Sequence, residues 1–169
     1  MNPAADPEFL GRLLDEQGGA LALYAAQWTD AADDCVQEAL LELVRQPELP
    51  RNVSAWLFRV VRNRAISRAR ASNRRKKHET QAATSRAFNV GEERDAAFSP
   101  EDVAAALPTL EDELREVVVL RVWGNLSFEA IADLCEISAS TAHRRYELGL
   151  KGLREKLGVT WTIQNTNNR

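Results

Sequence analysis

The sequence predicts an all-α protein made of two small helical bundles joined by a flexible linker, the second bundle containing a helix-turn-helix. Three observations carry this. Apolar residues recur at helical spacing in segment after segment, strand-like alternation is absent, and glycines number only 8 in 169 residues. The first helix is expected from Pro7 to Gln27 and the second from Ala32 to Gln46, with Val36, Leu40, Leu43 and Val44 as its inward stripe. Pro47 and Pro50 interrupt the chain before a third helix from Ser54 to Arg75. These three form the first bundle, placed at residues 1–78. From 79 to 100 the composition shifts to Thr, Ser, Ala, Gln and acids with little apolar periodicity, which reads as a flexible linker. The second bundle, residues 101–158, follows a short helix from Pro100 to Ala106 with helices from Leu110 to Trp123, Phe128 to Cys135 and Ala139 to about Leu157. Residues 159–169 read as a frayed tail.

The net charge of -3 conceals a strong segregation. Residues 1–50 hold ten acids against Arg12 and Arg45, whereas residues 51–78 hold ten Lys and Arg and no acid. Residues 79–113 return to -7. A polyanion would meet one concentrated positive face, so nucleic acid is the natural partner of that segment; a solvated basic helix is the bland alternative. Catalysis is not expected. There is no glycine-rich phosphate loop and no cluster of metal ligands, and the two histidines, His78 and His143, stand among basic residues, so neither metal nor cofactor is anticipated. Cys35 and Cys135 lack metal-like spacing and read as small core residues of a reduced, cytoplasmic protein. No basic lead precedes an apolar segment at the N-terminus and no eighteen apolar residues run together, so membrane insertion is not expected.

The stretch "LSFEAIADLCEISASTAHRRYELGLKGL" has the layout of a helix-turn-helix. Ser127 and Ser138 can cap its two helices; Ile131, Leu134 and Ile137 face the core, and the small Ala132 and Ala142 permit a close crossing. Ser140, Thr141, His143, Arg144 and Arg145 then begin the second helix with groups suited to phosphates and base edges. A helical hairpin with a polar rim is the alternative reading of the same pattern. Glu136 occupies a turn position that ordinarily takes glycine, which implies a strained or differently shaped turn. In the second helix of the chain, Asp34, Gln37, Glu38, Leu41 and Arg45 share a face away from the apolar stripe.

Taken together, "ADDCVQEALLEL", "SAWLFRVVRNRAISRAR" and "LPTLEDELREVVVLRVWGNLSFEAIA" resemble the small extracytoplasmic-function (ECF) sigma factors of bacterial RNA polymerase, which consist of two helical domains called region 2 and region 4. The resemblance spans nearly the whole chain. It implies that Asp34, Gln37 and Glu38, with Leu41 on the same face, lie on the helix that docks on the clamp helices of core polymerase, with the flap as a further contact. It places Arg62, Asn63, Ser67, Arg68, Arg70, Arg74, Arg75, Lys76 and Lys77 on the helix that meets the minus-10 element, with Trp56 and Leu57 packed in the core. It assigns His143, Arg144 and Arg145 to the major groove of the minus-35 element, and Ser140 and Thr141 to the phosphate-contacting helix start. Promoter DNA, core polymerase and a regulatory anti-sigma factor are the implied partners. The sequence departs from the family at Ala31 and Ser67, where acids are usual, at Asn125, which replaces a glycine, and at Glu147 and Leu148, where aromatic or basic residues are common. A free-standing helix-turn-helix repressor or activator is the alternative, and it would not need the Asp34, Gln37, Glu38 face.

Overall fold

The computed structural model describes residues 6–76 and 100–158; residues 1–5, Lys77 and the rest of the expected linker to residue 99, and residues 159–169 lie outside the described residues. Among the described residues the regular structure is entirely helical. Helix α1 spans Pro7–Ala25, α2 Ala32–Val44, α3 Val53–Lys76, α4 Pro100–Ala106, α5 Asp112–Val122, α6 Phe128–Cys135 and α7 Ala139–Leu157, with a 3₁₀ turn over Leu107–Thr109.

Local chemistry sets these boundaries. Asp6 caps α1 by accepting the Glu8 N–H at 3.0 Å, and Pro7 takes the first helical position, where its missing N–H costs nothing. Helix α2 starts on Ala31, which offers no side-chain cap, so Asp33 and Asp34 in the first turn face the helix dipole instead. At the head of α3, Asn52 accepts the Ala55 N–H at 2.9 Å. Ser127 and Ser138 cap α6 and α7 at the expected positions, accepting from Ala130 at 3.2 Å and Thr141 at 3.1 Å. The turn between them is closed by Glu136 in the left-handed region (φ 58°), and Asn125 also holds positive φ (50°). Gly158 ends α7 in the same conformation.

Helices α1, α2 and α3 pack on one another, and α5, α6 and α7 form the second bundle with α4 laid along α7. The stripe of α2 is deeper than its large residues suggested: Ala32, Cys35, Val36, Ala39 and Leu43 are buried, while Leu40 and Val44 are half-exposed. Small side chains let α2 sit close to its neighbours. In the second bundle Gly149 does the same for α7, because a Cβ there would come 2.5 Å from Val118 Cγ2. The two bundles are themselves in contact, α1 against α5 and α3 against α6, so that one apolar core runs through both. Tyr24 and Phe58, fully buried and edge-to-face at 5.3 Å, lie near this junction. Gly124 meets Phe58 there, where an added Cβ would sit 3.0 Å from the ring.

Candidate nucleic-acid interface

Helix α3 carries the basic segment. Leu57, Phe58, Val61 and Ala65 are buried and fix its inner face, while Trp56 is partly buried against the core as a packing residue. Asn63, Ser67, Arg70 and Arg74 follow at helical spacing on the outer face, all exposed, with Arg75 beside them. That row offers amides, hydroxyls and guanidinium groups to a ligand lying along the helix. Lys76 is the last residue of the helix.

Three further arginines of α3, Arg62, Arg64 and Arg68, are engaged within the protein, while Arg59 is exposed. Arg62 donates through Nε to Glu116 of α5 at 2.6 Å, and the same carboxylate oxygen accepts the Tyr24 hydroxyl at 2.7 Å. Arg68 reaches Glu38 at 2.5 Å and Asp34 at 3.6 Å. Arg64, which was not among the expected site residues, bridges Glu38 at 3.0 Å and Glu42 at 2.6 Å. The hydrogen bonds that Arg64 donates to Glu42 and Arg68 donates to Glu38 raise both arginine pKa values. A signal for this existed in the sequence: Asp34, Glu38 and Glu42 repeat every fourth residue on α2, as Arg64 and Arg68 do on α3. On α2, Asp34, Gln37 and Leu41 remain exposed, Leu41 at 56%.

The helix-turn-helix is held by its own polar contacts. Arg121 donates to the Leu126 carbonyl at 2.8 Å and lies over the Phe128 ring at 4.8 Å, fixing the approach to α6. At the start of α7 the Ser138 hydroxyl contacts those of Ser140 at 3.0 Å and Thr141 at 2.8 Å. Ser140, His143 and Arg144 are exposed on α7; the His143 ring also packs edge-on against Phe128 at 4.9 Å. Arg145 turns instead toward Glu113 of α5 and is only half-exposed. Glu147 and Leu148 are exposed on the following turn. Among the described residues there is no group of three His, Cys, Asp or Glu able to hold a metal ion, and no helix long and apolar enough to cross a membrane.

This geometry, an acidic helix beside a basic one and then a helix-turn-helix, agrees with comparisons to known proteins. The Sigma-70 region 2 family matches residues 19–75, and the Sigma-70 region 4 family matches residues 101–153. The ECF RNA polymerase sigma factor EcfG of Rhodopseudomonas palustris is 30% identical over 131 residues, covering 75% of this chain and 71% of the relative. The chain belongs to the ECF sigma-factor family. Its fold is similar to that of the sigma factor RpoE from Bartonella quintana, solved in complex with the anti-sigma factor NepR, with a TM-score of 0.71, 25% identity, and coverage of 92% of this chain and 100% of the other. The fold of CnrH, solved with the cytosolic domain of CnrY, is also similar at a TM-score of 0.58 and 21% identity, covering 92% of this chain and 91% of that one. The paired region 2 and region 4 matches make this an RNA polymerase sigma factor and do not favour a free-standing helix-turn-helix regulator.

Proposed function

We propose that this sigma factor docks on the clamp helices of core RNA polymerase through the exposed face of α2, reads the minus-10 element along the outer row of α3, and reads the minus-35 element with the start of α7. The observation that carries this is the disposition of Asp34, Gln37 and Leu41: acidic, polar and apolar side chains exposed together on one face of α2, beside the exposed Asn63, Ser67, Arg70 and Arg74. Carboxylates around an exposed leucine suit a basic docking surface with an apolar centre. On α7, Ser140, Thr141, His143 and Arg144 remain placed for DNA, whereas Arg145 must leave Glu113 before it can reach a base.

Energetics assign the opening of DNA to the assembled enzyme. Unpairing on the order of ten base steps, each stacked by roughly 1.4 kcal/mol, costs well over 10 kcal/mol. A three-helix bundle offers too little surface to supply that alone, so the protein acts without catalysis of its own, inside a cytoplasmic holoenzyme. The anti-sigma complex of the similar RpoE supports an anti-sigma factor as regulator here too.

Co-purification with core polymerase tests the docking face. Because Glu38 also ties α2 to α3, the variant to use is Asp34→Lys, Gln37→Ala, Leu41→Ala, which gives up the 3.6 Å approach of Asp34 to Arg68 but keeps the closer pairs made by Glu38 and Glu42. Retention of wild type and loss of the variant, with helicity unchanged by circular dichroism, is the expected result; a folded variant that still binds core would overturn the assignment.

A further inference from the structure

The cations of α3 differ in their surroundings. Arg59, Arg70, Arg74 and Arg75 are exposed and Arg62 is held by Glu116 of α5, whereas Arg64 and Arg68 are covered by acids of α2. Glu38 gives one carboxylate oxygen to each covered arginine, Oε2 to Arg64 and Oε1 to Arg68; Glu42 takes the second nitrogen of Arg64 and Asp34 approaches the second nitrogen of Arg68. A carboxylate pairs with a guanidinium through the same two-pronged geometry as a phosphate. The acids of α2 therefore occupy the groups of Arg64 and Arg68 that backbone phosphates would otherwise take. The pairs are far from sealed: Arg64 is 42% and Arg68 35% exposed, Glu38 35% and Glu42 37%, so partners can exchange in solution. Asp34, at 62%, lies both in this cluster and on the exposed docking face.

We propose that α2 couples polymerase docking to DNA binding: its acids stand in for phosphates on Arg64 and Arg68 in the free protein, and a basic docking surface that draws on those acids releases both arginines to the promoter. The proposal rests on the reading of α2 as the docking helix and α3 as a DNA-binding helix. Glu38 thereby acts at both surfaces, and Glu42 is a positioning residue acting through Arg64 without touching DNA.

The test is the salt dependence with which the free protein binds a fluorescent non-promoter duplex. Each released arginine adds one phosphate contact, and each contact steepens the log-log slope by roughly 0.9. Glu42→Gln should therefore steepen the slope by up to about one, and Glu38→Gln with Glu42→Gln by about two. Adding Arg64→Ala and Arg68→Ala to that pair should remove the gain. Glu8→Gln with Asp15→Asn, two exposed acids of α1, raises the net charge equally and should leave the slope near wild type. Glu42→Gln alone changes a single half-exposed side chain, so the test does not depend on the multiple variants folding. In parallel, Arg64→Ala with Arg68→Ala is measured in the reconstituted holoenzyme on promoter DNA, where the slope should become shallower by about two. Wild-type slopes in the acid variants together with a shallower holoenzyme slope would overturn the coupling and leave the DNA reading standing. An unchanged holoenzyme slope would overturn the assignment of these arginines to DNA, and the coupling with it.

Discussion

Glu116 of α5 accepts the hydroxyl of Tyr24, 92 residues earlier in α1, at 2.7 Å, and so closes the second bundle onto the first. Its carboxylate also holds Arg62 of α3, and the pair is shielded, with side-chain exposures of 12% for Glu116 and 27% for Arg62. Tyr24→Phe should cost about 1 kcal/mol, since it removes one hydrogen bond and leaves the arginine paired. Glu116→Ala should cost more, about 2–3 kcal/mol, because it strands both a phenol and a guanidinium in a largely dry junction. Urea denaturation checks the order; a Glu116→Ala variant within 0.5 kcal/mol of wild type would show that the junction contributes little.

The thiols provide a second check. Burial pushes Cys135 up to about 12, with Glu116 adding to the effect, and burial also raises Cys35. Both should resist alkylation at pH 8 in the folded protein and react on unfolding. An unfolded thiol ionises near pH 8.5–9, well below the folded Cys135. Its contribution to stability is therefore complete below about pH 9 and is lost as pH rises from there toward about 12. Tyr24, raised above its ordinary value by burial and by Glu116, loses stability in the same direction but starting nearer pH 10. Cys135→Ala should flatten the earlier part of the decline, and thermal unfolding between pH 8 and 11 would reveal it.

How much of this was legible in the sequence depends on the range of the interaction. Helix boundaries, the Ser127 and Ser138 caps and the positive φ of Asn125 and Glu136 follow from residues within one or two turns of each other, and local periodicity displays them. The fate of individual arginines did not follow. Arg62 and Arg68 in the basic segment and Arg145 in the helix-turn-helix look alike, yet each is drawn to a carboxylate on another helix: Glu116, Glu38 and Glu113. Such pairings depend on how helices cross: the matched four-residue spacings on α2 and α3 hinted at the Arg68 pairing, but nothing local marked Glu116 for Arg62 or Glu113 for Arg145. The contact between the bundles is of the same kind, because Gly124 and Phe58 carry no sign that they meet.

That contact should open when promoter DNA binds. Elements centred about 25 base pairs apart lie roughly 85 Å apart along B-DNA, which two touching bundles cannot span at once. The 23 residues from 77 to 99 can reach at most roughly 80 Å when extended, and the bundles supply the remainder. Donor and acceptor dyes on Leu14→Cys and Leu148→Cys, both exposed positions, should show high energy transfer in the free protein and a marked fall in the promoter-bound holoenzyme. Equal transfer in both states would mean that the bundles stay together on DNA.

The helix-turn-helix offers a test in which the direction of the effect is informative. Glu136 holds φ 58° and ψ 43° at the end of α6, a conformation that costs a residue with a Cβ roughly 1–2 kcal/mol. Glycine would remove that strain but gives up more conformational entropy in the unfolded chain, about 0.5–1 kcal/mol. The balance favours Glu136→Gly by about 0.5–1 kcal/mol. Its opposite is Gly149→Ala, whose added methyl would fall 2.5 Å from Val118 Cγ2 and 3.3 Å from the Leu114 carbonyl oxygen. Overpacking of that kind should destabilise by about 1–3 kcal/mol and push α7 away from α5. Chemical denaturation of the two variants should therefore shift in opposite directions. If Glu136→Gly were destabilising instead, its carboxylate would have to be stabilising the turn by more than the left-handed backbone costs, and the residue would be part of the turn's design.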